Sequence, residues 1–140
     1  MTTVDKFLAP SDIPAAQHER AITAAAVLPS ALVGTWANID PATRGIVKIV
    51  IAAAATGILV HAYGACSPTP CDWGSVSGLA YAANVSSNAG VAFTATYNFG
   101  FKQTFMTGHL NGRLLAVETF DHFTDGSGRS DYYSAYTMQK

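Results

Sequence analysis

Charge is scarce in this chain, and that scarcity removes several kinds of partner at once. Only 12% of the 140 residues are Asp, Glu, Lys or Arg, about half the usual share of roughly 25%. Eight basic residues against nine acidic ones leave a formal net charge of −1. No basic patch exists to follow a phosphate backbone, so nucleic acid is not an expected partner. Cysteine is nearly missing, and two residues cannot build a disulfide-rich scaffold. The four histidines, His18, His61, His109 and His122, fall on separate segments and supply no three- or four-ligand set, so no metal is expected. The longest uncharged apolar stretch, Ile49 to Val60, is broken by Thr56 and Gly57 and is too short to span a bilayer as a helix. A G-x-S-x-G nucleophile turn and a phosphate-binding loop are both absent, and the glycine-rich "DGSGRSD" at 125–131 sits between two strands rather than before a helix. No cofactor is implied. The N-terminus carries no continuous apolar stretch behind a basic start, which makes a poor secretory signal. A cytoplasmic setting, in which thiols usually stay reduced, is the expectation.

What the chain does have is apolar surface, 49% of its residues, more than one small core needs. A ligand cavity or a subunit interface would use the excess. Residues 1–30 read as an irregular arm with a short helix over 14–27, capped by Ser11 or Asp12 and ended by Pro29. After Pro29 the apolar period becomes two. Strands are expected at 31–39, 45–53, 57–65, 78–86, 90–98, 100–110, 113–122 and 130–138, each rich in Val, Ile, Tyr, Phe or Thr and bounded by Gly, Asn, Asp or Pro. Short turns, "ATG", "SNAG" and "NG", alternate with the long connections "DPATR", "CSPTPCDWGSVS" and "FTDGSGR", the short mouth-side "YNFGF" being the exception. In an up-and-down meander, alternate connections emerge at opposite ends. The pattern therefore predicts an all-β domain over 31–140, an eight-stranded antiparallel barrel with one tight end and one decorated mouth.

Gly34-Thr35-Trp36 on the first strand resembles the G-x-W opening of the calycin superfamily, which includes lipocalins and avidins. The resemblance implies a meandering barrel, closed at one end, that holds a small and usually apolar molecule. In lipocalins a basic residue at the end of the last strand packs over this tryptophan. Here the last strand ends in Tyr136, Met138 and Lys140, and Arg129 stands before it, so only Lys140 can play that part. No array of Ser, Asn, Tyr, Trp and Asp carries over a biotin site.

An inward Trp36 brings Leu32, Gly34 and Asn38 inward with it. On the fifth strand the bulky set Val91, Phe93, Ala95 and Tyr97 contrasts with Ala92, Thr94 and Thr96, which places the bulky set inside. Bulk used the same way puts Leu79, Tyr81 and Ala83 inside on the fourth strand, and Phe99, Phe101, Gln103 and Phe105 on the sixth. The seventh strand has two plausible inner faces, Leu114, Ala116, Glu118, Phe120 and His122 or Leu115, Val117, Thr119 and Asp121. An inward Glu118 would be a poorly solvated carboxyl, raised in pKa and able to act as an acid or base, with Tyr81, Gln103, His61 or Tyr133 as partners. The alternative is a Glu118 in water. His61, beside Tyr63, is either a proton carrier in the lumen or an ordinary strand residue. Arg44 and Arg129 fall at the mouth, where they either knit loop salt bridges or recruit a ligand carboxylate.

Cys66 and Cys71 flank "SPTP" on the longest mouth loop, where Pro68 and Pro70 fix two φ angles. Their spacing admits a disulfide or free thiols, and either form sets Trp73 near the mouth. Three functions follow. One is a cofactor-free cyclase or isomerase working on an apolar substrate through Glu118, His61 and Tyr81. Another is a passive carrier of a small hydrophobic molecule, and the last is a lectin-like or interaction module using the mouth loops. Strands that are apolar on both faces point to a homodimer.

Overall fold

The computed structural model describes residues 26–140, and the helix expected at 14–27 lies, but for its last two positions, outside them. Among the described residues there is no helix, hence none long and apolar enough to cross a membrane. The chain forms β1 (Gly34–Asn38), β2 (Ile46–Ala54), β3 (Gly57–Gly64), β4 (Cys71–Ala82), β5 (Gly90–Asn98), β6 (Lys102–Asn111), β7 (Leu114–Phe123) and β8 (Tyr132–Gln139). Every strand pairs antiparallel with the next, and β8 closes on β1 through Ala37 with Gln139 and Asn38 with Met138. The result is a closed barrel. Positive φ angles at Gly57 and Gly112 let the β2–β3 and β6–β7 hairpins turn tightly.

The wall carries its apolar core on the inside. Trp36, Ile46, Ile49, Ile51, Ile58, Val60, Phe93, Tyr97, Met106, Leu115, Val117 and Met138 are all buried, and together they fill the axis. At the tight end the Trp36 indole N–H donates to Leu32 O at 2.9 Å, while Lys140 Nζ sits 5.0 Å from the centre of the Trp36 ring. That is the basic cover over the tryptophan for which Lys140 was the only candidate.

Two strands depart from the expected phase, each for a steric reason. β4 begins at Cys71, so much of the supposed loop is strand, and 83–86 lies outside it, with Val85 fully exposed. Positive φ at Gly74 and a register shift opposite His61 and Tyr63 break its alternation, putting Trp73, Val76, Gly78 and Ala80 toward the core while Leu79 and Tyr81 face out. Gly78 is required there, since a Cβ would lie 2.7 Å from Thr94 O. On β6 the inner face is Lys102, Thr104, Met106 and Gly108, and Gln103 and Phe105 face solvent. The Phe93 ring occupies the place of a Gly108 side chain, so the strand must present its glycine inward whatever the bulk of its other face. On β2, apolar on both faces, a bulge between Ile46 and Lys48 brings Ile46 inward with Ile49 and Ile51.

Gly108→Ala therefore overpacks the core against Phe93. A loss of about 1–3 kcal/mol in denaturant unfolding is expected, and an unchanged midpoint would contradict the packing.

Candidate functional site

The long connections converge on the mouth, as expected of them, and the stiff loop organises one side of it. Cys66 and Cys71 are joined as a disulfide with their Cα atoms 5.4 Å apart. Just beyond the bond, Asp72 receives the Gly74 N–H at 2.7 Å and pairs with His61 Nε2. The other ring nitrogen of His61 lies 3.2 Å from Ser75 Oγ, and the ring stacks on Tyr63 at 4.5 Å. Asp72 thus pins the outside of the loop while Trp73, its neighbour, turns inward over Gly64, where a Cβ would stand 2.8 Å from the indole nitrogen.

Trp73 begins an aromatic arc. It meets Tyr97 and Phe99 edge-on at 5.5 and 5.3 Å, Phe99 stacks on Tyr97 at 5.6 Å, and Phe101, Phe123 and Tyr132 continue round the rim at 6.1–6.4 Å steps. The Tyr97 hydroxyl is anchored by the Ala62 N–H at 3.0 Å and by Gly74 O at 2.8 Å, and burial raises its pKa. Inside the arc stands Lys102, with its Nζ within 6 Å of the Phe99, Phe101 and Tyr132 rings. It pairs with Asp121 Oδ1 at 3.0 Å, and the Thr104 hydroxyl donates to the same oxygen. Burial opposes the ammonium, yet the bonds to Asp121 and Tyr132 outweigh it and raise the Lys102 pKa.

Below the arc is a cavity of about 210 Å³, lined by Arg44, Gly45, Gly64, Ala65, the disulfide, Trp73, Lys102, Thr119, Asp121, Tyr132 and Tyr136. Gly45 is required because the Tyr136 hydroxyl occupies the position its Cβ would take. Of the two rim arginines, Arg129 is held by Asp125 at 2.7 Å and by Ser127, and lies 4.2 Å over the Phe123 ring. Arg129 therefore knits the loop.

The candidate residues named from sequence divide among four places. Trp73, Tyr97, Phe99, Phe101 and Arg129 come together at the mouth. Trp36 and Phe93 are core, and Asn38 bonds backbone at both ends of its amide, Ile46 O at 2.9 Å and Asp40 N–H at 2.8 Å. The remaining candidates stand on the outer wall. Tyr81 bonds Thr94, Glu118 accepts from Tyr133 at 2.8 Å, and His61 faces Asp72 beside Tyr63. The lumen position weighed for Glu118, His61, Tyr81, Gln103 and Tyr133 is thus corrected: the inner positions of β7 are Leu115, Val117, Thr119 and Asp121. Gln103, Phe105, Phe120, His122 and Tyr133 line an open outer depression instead, with His122 paired to Asp131 at 2.8 Å. Sequence reasoning left out Lys102, Thr104, Tyr132 and Tyr136. Its available signal was the run Leu115, Val117, Thr119, Asp121, apolar at the tight end and polar at the mouth.

No family model matches the chain, and no curated protein and no solved structure matches it. The closed eight-stranded antiparallel barrel is compatible with a calycin-like fold. Among the described residues no group of three or more His, Cys, Asp or Glu is placed to hold a metal ion.

The His61 bond, followed by the Gly74 N–H, lowers the Asp72 pKa below its usual 3.8. A lowered carboxyl stabilises the fold above the unfolded value and loses that contribution as pH falls through the folded one. The stability gap between wild type and Asp72→Asn is expected to be full near pH 6 and to close below about pH 4. Denaturation across a pH series reads it, and a gap constant throughout would contradict the pairing.

Proposed function

We propose that this protein binds a small molecule at the mouth of its barrel, as a calycin-like binder rather than a cyclase or isomerase. The observation that carries the reading is the Lys102–Asp121 pair, its carboxylate buried and its ammonium partly so, beneath an aromatic arc and next to a cavity. A solvated ion pair needs no such housing, and desolvating two charges costs several kcal/mol per ion before their attraction offsets it. A few placed polar groups among aromatic walls are the common form of a ligand site. The G-x-W opening and the Lys140 cover over Trp36 support the calycin-like assignment.

Size narrows the guest. A space of about 210 Å³ equals roughly seven waters at about 30 Å³ each, and lies below the roughly 300–1,000 Å³ of drug-sized pockets. One ring matches this space better than a folded isoprenoid chain does. The acid–base reading loses its support because Glu118, His61 and Tyr81 stand on the outer wall, each bonded to neighbours there.

Calorimetry against single-ring aromatics and against farnesol tests the proposal. Single rings are expected to bind and to quench Trp73, with the quench absent in Trp73→Phe and affinity reduced about tenfold or more in Lys102→Met. Farnesol binding in preference to every ring, or affinity unchanged in Lys102→Met, would refute it.

A further inference from the structure

We infer that the mouth takes a hydroxy acid of single-ring size, its hydroxyl received by Thr119 and Asp121 and its carboxylate by Arg44. The inference rests on the mouth being a binding site, and three observations carry it further.

The first is a set of open hydrogen-bonding valences among the inner residues that line the cavity. Thr119 is 2% exposed and lines the cavity, and its hydroxyl has no hydrogen-bond partner among the described residues. Asp121 is 5% exposed, and both of its side-chain bonds, from Thr104 and from Lys102, end on Oδ1. Its Oδ2 has no protein donor among the described residues. Buried polar groups in folded proteins are nearly always satisfied, and one left alone costs about 1–3 kcal/mol. A guest or ordered water has to complete this floor.

The second is the sign of the floor. Oδ2 can only accept, so the inner end of the guest must donate, and an anionic group there would face the Asp121 carboxylate. A cationic amine would stand against Lys102, whose ammonium is 3.0 Å from the same carboxylate. The donor is therefore neutral, and a hydroxyl meets all the conditions. It donates to Asp121 Oδ2 and accepts from Thr119 Oγ1.

The third is the asymmetry of the rim. Arg129 is engaged by Asp125 and Ser127. Arg44 lines the same cavity as Thr119 and is exposed, with no ion pair among the described residues. A guanidinium fork fits a carboxylate in two parallel bonds. A guest with its hydroxyl inward and its acid outward, its ring against Trp73 and Tyr132, engages Thr119, Asp121 Oδ2 and Arg44 together.

Isothermal titration of 4-hydroxybenzoate, benzoate and phenol tests this on the full chain. The expected result is that 4-hydroxybenzoate binds at least about tenfold tighter than either truncated compound. Thr119→Val should erase its advantage over benzoate, with Thr119→Ser restoring it, and Arg44→Gln should erase its advantage over phenol. Circular dichroism checks that each variant remains a barrel. Equal affinities, advantages that persist in these variants, or no binding by any of the three would overturn the hydroxy-acid assignment. The mouth reading stands apart from this result: binding of benzoate or phenol that still weakens in Lys102→Met preserves it, whereas binding indifferent to Lys102 removes both.

Discussion

Eight strands enclose an interior that side chains alone can fill, and this barrel fills it unevenly. From the tight end upward, Leu32, Trp36, Met138, Phe93, Met106 and the isoleucines of β2 and β3 occupy the axis. Toward the mouth the inner positions change to Thr104, Thr119, Asp121, Gly64 and Gly45. The volume that the small residues leave is the cavity. Its position is thus a packing consequence: large residues exclude a guest from the axis, and Gly64 and Gly45 let the Trp73 and Tyr136 rings lie close against the wall.

The charged pair at the top of the core gives this space its chemistry. Lys102 and Asp121 are 15% and 5% exposed, and such pairs are often no more stabilising than hydrophobic residues of equal volume. Here the surroundings reduce the cost, because aromatic faces attract the ammonium and Thr104 shares the carboxylate. The outer loops add rigidity through unrelated devices, the disulfide with Asp72 on one side and Arg129 with Asp125 on the other. Both leave the middle of the mouth open.

Strand number, order and the crowding of long connections at one end were legible in the sequence because alternation and turn residues report them directly. The facing of individual strands was less so. Bulk identified the inner face of β5 through Phe93 and Tyr97, and failed on β6 because Phe93 claims the space opposite Gly108. It failed on β4 because Gly74 and a register shift interrupt the alternation. Such choices depend on a partner strand some fifteen to twenty residues away, Phe93 for Gly108 and Ile58 for Gly78, and local periodicity carries no record of that partner. The candidate site was legible in part. Trp73, Tyr97, Phe99 and Phe101 were found as aromatics near the mouth, while Lys102 passed unnoticed because a lysine on a strand ordinarily lies in water.

A guest at the mouth requires hydrogen-bonding capacity at its floor that the protein does not use. A crystal structure of the ligand-free protein, at a resolution that shows ordered water, reads this directly. At least one water bonded to both Thr119 Oγ1 and Asp121 Oδ2, beneath Trp73 and Tyr136, is the expected result. A collapsed mouth, with the hydroxyl of Tyr132 or Tyr136 bonded to Asp121 Oδ2 and no space above Thr119, would contradict it.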